Sequence, residues 1–115
     1  MKHTEKSFEE RLNESIKIME LHTDRVCIYV EKSNECHSLN QIDRNKYLVP
    51  NNLSIGQFLY VIRKRIKLPQ EKALFFYTKN KSLLSGSTHI IDIYNKHKDS
   101  DGFLYITYTG ENCFG

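Results

Sequence analysis

The chain has 115 residues, 39% of them hydrophobic, which suits one domain around one core and leaves little room for a second. Its longest apolar runs, such as Val26–Val30, hold five residues, against the roughly 20 that a membrane-spanning helix needs, and no basic start followed by an apolar stretch marks a secretory leader. The net charge is only +3, but residues 44–81 hold nine Lys/Arg against Glu71 alone, a local +8 that leaves −5 for the rest. A basic centre between acidic ends suits an acidic partner or an anionic surface, or else a solvated helix face.

Residues 1–7 are polar and read as a mobile lead. "SFEE" then supplies Ser7 as N-cap with Glu10 three residues on, a capping box, and Phe8, Leu12, Ile16 and Met19 follow at helical spacing. A helix is expected over 8–21. "RVCIYVEK" is β-branched and aromatic with no polar alternation, the pattern of a strand covered on both faces. "SNECHSLNQID" has loop composition. "KYLVP" reads as a short strand stopped by Pro50, which favours an edge position. In "LSIGQFLYVIRKRIKLP", Ser54 and Gln57 form a second capping box, Leu53 can staple to Phe58, and Ile55, Leu59, Ile62 and Ile66 share a face, with Pro69 limiting the far end. "ALFFYT" is another strand. "STHIIDIYNKHK" is a helix whose Lys96, His97 and Lys98 suit its C-terminal dipole. The "DG" at Asp101 and Gly102 marks a turn before a last strand, "FLYITY", again apolar on both faces. A mixed sheet satisfies two strands buried on both sides, with the two inner helices on one face and the N-terminal helix on the other.

Some apolar surface is surplus to that plan. Phe58 and Val61 extend the central helix beyond its core face, and Tyr47, Val49 and Leu53 lie nearby in sequence. Alternation along "KYLV" sends Lys46 and Leu48 to one side and Tyr47 and Val49 to the other, so one edge strand separates two apolar depressions. An extended peptide can add to such an edge and place a side chain in each. Pattern alone equally allows these residues to be ordinary core.

Other chemistry finds little support. Cys27, Cys36 and Cys113 are odd in number and widely spaced, with no CxxC, so a disulfide framework is not expected and a reducing cytosol is. Cys36-His37 lacks the partner spacing of a metal or catalytic pair. Prenylation needs cysteine where Asn112 stands. No phosphate-binding glycine motif occurs, and "RKRIK" has no aromatic pattern of an RNA-binding module beside it, so no nucleic acid partner is expected. No enzyme and no cofactor are expected.

"KYLVPNNLSIGQFLYVIRKRIKLPQEKA", "HKDSDGFLYITYTGEN" and the final "FG" closely resemble the autophagy-related protein eight family of ubiquitin-like modifiers, which includes the GABA-receptor-associated protein and the light-chain-three proteins. The resemblance runs from about Phe8 to Gly115 and is densest over 46–73 and 97–115. It implies an α+β ubiquitin-like β-grasp, a four-stranded mixed sheet with two inner helices and an N-terminal helical extension. The expected division is one domain, 1–115, with the extension at 1–25, the core at 26–108 and a flexible conjugation tail at 109–115.

By the same resemblance, the chain binds aromatic-x-x-aliphatic motifs flanked by acids. The aromatic pocket would comprise Glu14, Ile18, Cys27, Tyr29, Lys46, Leu48 and Phe103. The aliphatic pocket would comprise Tyr47, Val49, Pro50, Leu53, Phe58 and Val61. Arg25, Lys46 and Arg65 would meet the acids. The chain departs from the family at Cys27, usually proline, and at Tyr29, usually a smaller aliphatic, which would shrink the first pocket and favour Phe or Tyr over Trp. The "SNECHSLNQID" loop is one residue longer and lacks the usual proline, as does "LLSGST".

The resemblance also makes Gly115 the reactive terminus. Its carboxylate would be adenylated with ATP, passed as a thioester to an activating and then a conjugating enzyme, and transferred to the amine of phosphatidylethanolamine. Glycine has no Cβ to obstruct that attack. Most relatives carry residues beyond the glycine that a cysteine protease removes. With nothing after Gly115, either the gene encodes the ready form or the chain has been trimmed, and in the former case the protease serves only deconjugation. The lipidated product would be anchored rather than spanning. The implied partners are these enzymes, cargo receptors and adaptors, and phosphatidylethanolamine membranes, with the protein moving from cytoplasm to an autophagosomal or related membrane. The alternative is an unconjugated peptide-binding adaptor of trafficking or microtubules.

Overall fold

The computed structural model describes residues 3–111. After a single 3-10 turn at His3–Glu5, the elements run α1 (Phe8–Leu21), β1 (Arg25–Lys32), β2 (Lys46–Pro50), α2 (Ile55–Arg65), β3 (Phe75–Thr78), α3 (Ile90–His97) and β4 (Leu104–Thr109). The strands form one sheet in the order β2-β1-β4-β3. β1 pairs with β2 antiparallel and with β4 parallel, and β3 pairs with β4 antiparallel. The two strands expected to be buried on both faces are the two in the middle. The strand that ends on Pro50 is at an edge. This is the ubiquitin-like mixed sheet that the resemblance implies.

The sheet's two faces carry separate clusters. Val26, Ile28 and Val30 of β1 and Leu104, Ile106 and Tyr108 of β4 pack against Ile55, Phe58 and Ile62 of α2 and Ile90, Ile93 and Tyr94 of α3. On the other face Cys27, Tyr29 and Phe103 meet Ile18 and Met19 of α1. Both capping boxes form. Glu10 N and Gln57 N donate to Ser7 and Ser54 Oγ, each at 3.1 Å, and the Glu10 and Gln57 side chains accept from the cap backbones. Each reciprocal pair satisfies two of the four amides that a helix start leaves without partners.

The helix ends differ from the sequence expectation in instructive ways. α2 stops before Pro69 because Lys67 turns left-handed, φ 57°, and Leu68 N and Lys67 N donate back to Arg63 O and Lys64 O. That is a Schellman stop with lysine where glycine is usual. α3 begins at Ile90 rather than near Ser87. Ile90 N donates to Leu53 O at 2.7 Å and Ile55 N to Thr88 O at 2.8 Å, so residues 88–90 are spent tying the starts of α2 and α3 together. The polar lead is also not loose throughout: His3 is 2% exposed, its ring 5.0 Å from that of Tyr29 and 4.3 Å from that of Phe103. Its backbone N–H donates to the Tyr29 hydroxyl at 3.1 Å. The expectation of a mobile 1–7 fails there because an aromatic face uncovered by α1 remained to be filled.

One buried carboxylate fastens α1 to β4. Asp101, 1% exposed, accepts from Arg11 Nε at 2.9 Å, from Phe103 N at 2.9 Å and from the Tyr105 hydroxyl. Its carbonyl accepts from Ser15 Oγ at 2.6 Å. Beside it Gly102 has φ 85°, and a Cβ there would sit 2.2 Å from Ser15 Oγ.

Candidate functional site

Register decides what β2 presents. Leu48 pairs with Cys27 and Lys46 with Tyr29, so Lys46 and Leu48 share the α1 face of the sheet. Val49 pairs with Val26 and Tyr47 with Ile28, which puts Tyr47 and Val49 on the α2 face. The alternation expected from "KYLV" is therefore present, on a strand whose outer edge has no sheet partner among the described residues.

On the α1 face lies a depression of about 250 Å³. Glu14, Ile18, Cys27, Lys46, Leu48 and Phe103 line it, together with Leu21, His22, Arg44 and Tyr47. Tyr29 is not in its wall. It is buried behind, under His3, so its bulk supports the depression instead of filling it. The rim is polar: Lys46 Nζ donates to Glu14 Oε2 at 2.9 Å and Oε1 at 3.1 Å, and Lys6 Nζ to Oε1 at 3.1 Å. Burial would raise the Glu14 pKa, but hydrogen bonds from Lys46 and Lys6 outweigh it and hold the carboxyl below its ordinary value. Burial pushes the Cys27 thiol up to about 11, with the Glu14 charge adding to the shift. Cys27 is thus an apolar wall rather than a nucleophile.

On the α2 face four of the expected aliphatic set, Tyr47, Val49, Leu53 and Phe58, belong to one apolar cluster. Val49 and Phe58 are buried, Tyr47, Pro50 and Leu53 half-buried, and Val61 is 39% exposed. The Tyr47 ring meets that of Phe58 edge-on at 5.6 Å. The Arg44 and Arg65 guanidinium groups lie 5.8 and 6.0 Å from the Tyr47 ring centre. Arg65 also reaches Asp43 by two hydrogen bonds of 3.2 Å in an exposed pair. Arg25 is half-buried opposite Pro50 at the far end of the β1–β2 ladder, outside the lining of the α1-face depression. Gly115 lies outside the described residues.

The sequence expectation for the site did not include Lys6, Leu21, His22, Arg44 or His3, although Ile18 and Leu21 read as one helical stripe beside Glu14. Leu21 lies three residues from Ile18 on one helix, so helical spacing carried that signal. Nothing local announced His3 or Lys6, because their partners are 26 and 8 residues away. Among the described residues no cluster of His, Cys, Asp and Glu could hold a metal ion.

Comparison with known proteins agrees with this geometry. The family model "Autophagy protein Atg8 ubiquitin like" matches residues 10–115. Autophagy-related protein 8a of Arabidopsis thaliana is 50% identical over 107 residues, covering 93% of this chain and 86% of that relative. Autophagy-related protein 8 of Scheffersomyces stipitis is 51% identical over 111 residues, covering 96% and 78%. The crystal structure of Trypanosoma brucei ATG8 superposes with a TM-score of 0.91 at 45% identity, covering 98% of this chain and 96% of that one.

Proposed function

This chain belongs to the Atg8 family of autophagy ubiquitin-like proteins, and we propose that it is a modifier conjugated through Gly115 to phosphatidylethanolamine that recruits acid-flanked aromatic-x-x-aliphatic peptides to the membrane it marks. The observation that supports the recruiting half is an apolar depression on one face of the edge strand β2 and an apolar cluster with half-exposed Val61 on the other. Side chains along an extended peptide alternate in direction, so residues i and i+3 point to opposite faces, about 10 Å apart along the strand. A peptide added to β2 by backbone hydrogen bonds thus sends its aromatic toward Cys27 and Phe103 and its aliphatic toward Phe58 and Val61. Alternation requires an even number of intervening residues, and two meet that requirement. Lys46, Arg44 and Arg65 then face the flanking acids, which steers and orients the peptide more than it adds affinity.

The conjugating half rests on family membership and on a family match that runs through Gly115. The chain is in this reading the substrate of enzymes: activating and conjugating enzymes build the amide to the lipid amine, and a cysteine protease cleaves it. No helix among the described residues is long and apolar enough to cross a membrane; in this reading the added lipid is the anchor. The protein is cytoplasmic before conjugation and on autophagosomal or related membranes after it.

The test is intact mass after incubation with ATP, the family's activating and conjugating enzymes and phosphatidylethanolamine liposomes, with Gly115→Ala alongside. A lipid-sized gain confined to the unaltered chain is expected. No gain, with the enzymes active on a relative and peptide binding intact, replaces this reading with an unconjugated adaptor.

A further inference from the structure

The side of α1 turned away from the peptide site carries an apolar row that does not serve the core. Phe8, Leu12 and Ile16 recur every four residues, and at about 100° per residue they lie within about 80° of one another around the helix. Glu14, Ile18 and Leu21, which line the α1-face depression, point roughly 150° away. Phe8 is 46% and Ile16 45% exposed, Leu12 is half-buried, and none of the three belongs to either apolar cluster of the fold. One such residue in solvent needs no explanation, but three in one row form a surface.

The charges on α1 select what covers it. Four acids, Glu9, Glu10, Glu14 and Glu20, stand against Arg11 and Lys17, which disfavours an anionic lipid surface. Most of these groups are engaged within the fold. Arg11 donates to Asp101, Glu14 accepts from Lys46 and Lys6, and Glu10 accepts from the Ser7 backbone. Glu9 and Lys17 are exposed and have no ion pair among the described residues. They stand on one flank of the row, eight residues apart, to either side of Leu12.

We propose that this row is a self-association surface, on which α1 of a second copy packs antiparallel about a two-fold axis near Leu12. Rows of residues spaced by four interdigitate with the two helices crossing at about 50°. Two-fold symmetry then sets Phe8 of each copy beside Ile16 of the other, and Lys17 of each beside Glu9 of the other. A parallel pairing would set Glu9 against Glu9 and Lys17 against Lys17, which repel. One short row buries far less than the roughly 1,600 Å² of a standard interface, so the dimer is weak, with a dissociation constant on the order of 0.1–1 mM. Copies anchored side by side, on the conjugation reading above, reach effective concentrations of that order. The depressions lie on the other side of α1, so on the peptide-binding reading the pair is bivalent.

Sedimentation equilibrium of the full chain in reducing, low-salt buffer, up to about 2 mM, tests this. A reversible monomer–dimer equilibrium is expected, and Ile16→Glu should abolish it. Glu9→Lys alone and Lys17→Glu alone should each weaken it about tenfold. An equimolar mixture of those two variants should recover it, because every pair across the axis is then opposite in sign. All three substitutions are at exposed helix positions, and a circular-dichroism melt of each checks that the fold is kept. A chain that stays monomeric throughout, or a dimer indifferent to Ile16→Glu, overturns the proposal. A dimer sensitive to Ile16→Glu that the charge reversals leave unchanged, or that the mixture fails to recover, overturns the antiparallel pairing. Flotation of the unconjugated chain with phosphatidylcholine vesicles, lost in Ile16→Glu and without any dimer, overturns it in favour of a lipid surface. Neither lipid conjugation nor peptide binding enters the dimer measurement, so this proposal and the functional reading fail separately.

Discussion

Replacing Gly102 by alanine should be among the most damaging single changes in this protein. Its φ of 85° is left-handed, which costs an L-residue about 1–2 kcal/mol. The new Cβ would stand 2.2 Å from Ser15 Oγ and 2.9 Å from Ser15 Cβ, so α1 must move. Forcing a methyl into a packed contact costs about 1–3 kcal/mol. Moving α1 also breaks the 2.6 Å bond from Ser15 Oγ to Asp101 O, about 1 kcal/mol net. The sum is about 3–6 kcal/mol. At about 4 °C per kcal/mol for a chain of this size, Tm should fall by about 12–24 °C in a circular-dichroism melt. Ser15→Ala removes the nearer clashing atom, so the double variant should lose about 1 kcal/mol less than the two singles combined. Glu14 and Ile18 flank the displaced residue on α1, so peptide affinity should fall even well below the melting range. A loss under about 1 kcal/mol for Gly102→Ala, or strict additivity with Ser15→Ala, would refute the steric reasoning.

The docked lead should respond to acid. Burial, then the charge of Lys46, lower the His3 pKa below its ordinary value despite Glu14 and Asp101 pulling the other way. The undocked imidazole therefore takes its proton first, and docking, complete above about pH 6.5, weakens as pH falls below it. Amide exchange of residues 3–6 should accelerate over that window, and His3→Leu should remove the pH dependence; a flat profile in the parent chain sinks the argument. Cys27 should resist iodoacetamide at about pH 8, labelling at least ~100-fold more slowly than an ordinary thiol, as read by peptide mapping; rapid native labelling would contradict its burial. Glu14→Gln should release Lys46 and Lys6 and speed association of an acid-flanked aromatic-x-x-aliphatic peptide at low salt, an advantage lost at about 1 M salt in stopped flow. An unchanged rate would mean that the Glu14 pairs do not compete with the peptide.

Local chemistry made much of this fold legible. Ser7 with Glu10 and Ser54 with Gln57 marked two helix starts to the residue, because a capping box is written within four positions. The two-faced apolar runs of β1 and β4 marked the sheet's centre, and Pro50 marked an edge. What escaped depended on distant partners. The start of α3 is set by bonds to Leu53 and Ile55, more than thirty residues back. The stop of α2 is a lysine in a conformation that sequence assigns to glycine. Of the aromatic set, Tyr29 was expected in the pocket wall and lies behind it, since His3 takes up its hydroxyl. The cluster of Tyr47, Val49, Leu53 and Phe58 was more readable, because strand alternation and one helix face generate it without help from the rest of the chain.

The exit of the chain through β4 has a mechanical side. β4 lies between β1 and β3, so whatever tethers the residues beyond Glu111 pulls on the middle of the sheet along the strand axis. Under that load the rungs to both neighbours share the stress in shear, whereas an edge strand pulled sideways would surrender its rungs one at a time. A peptide held on β2, as proposed, would load the sheet from its far margin. Traction between a bound cargo and an anchored tail would cross the β2–β1 and β1–β4 ladders before reaching the terminus, making the two central strands the part of the protein that bears strain.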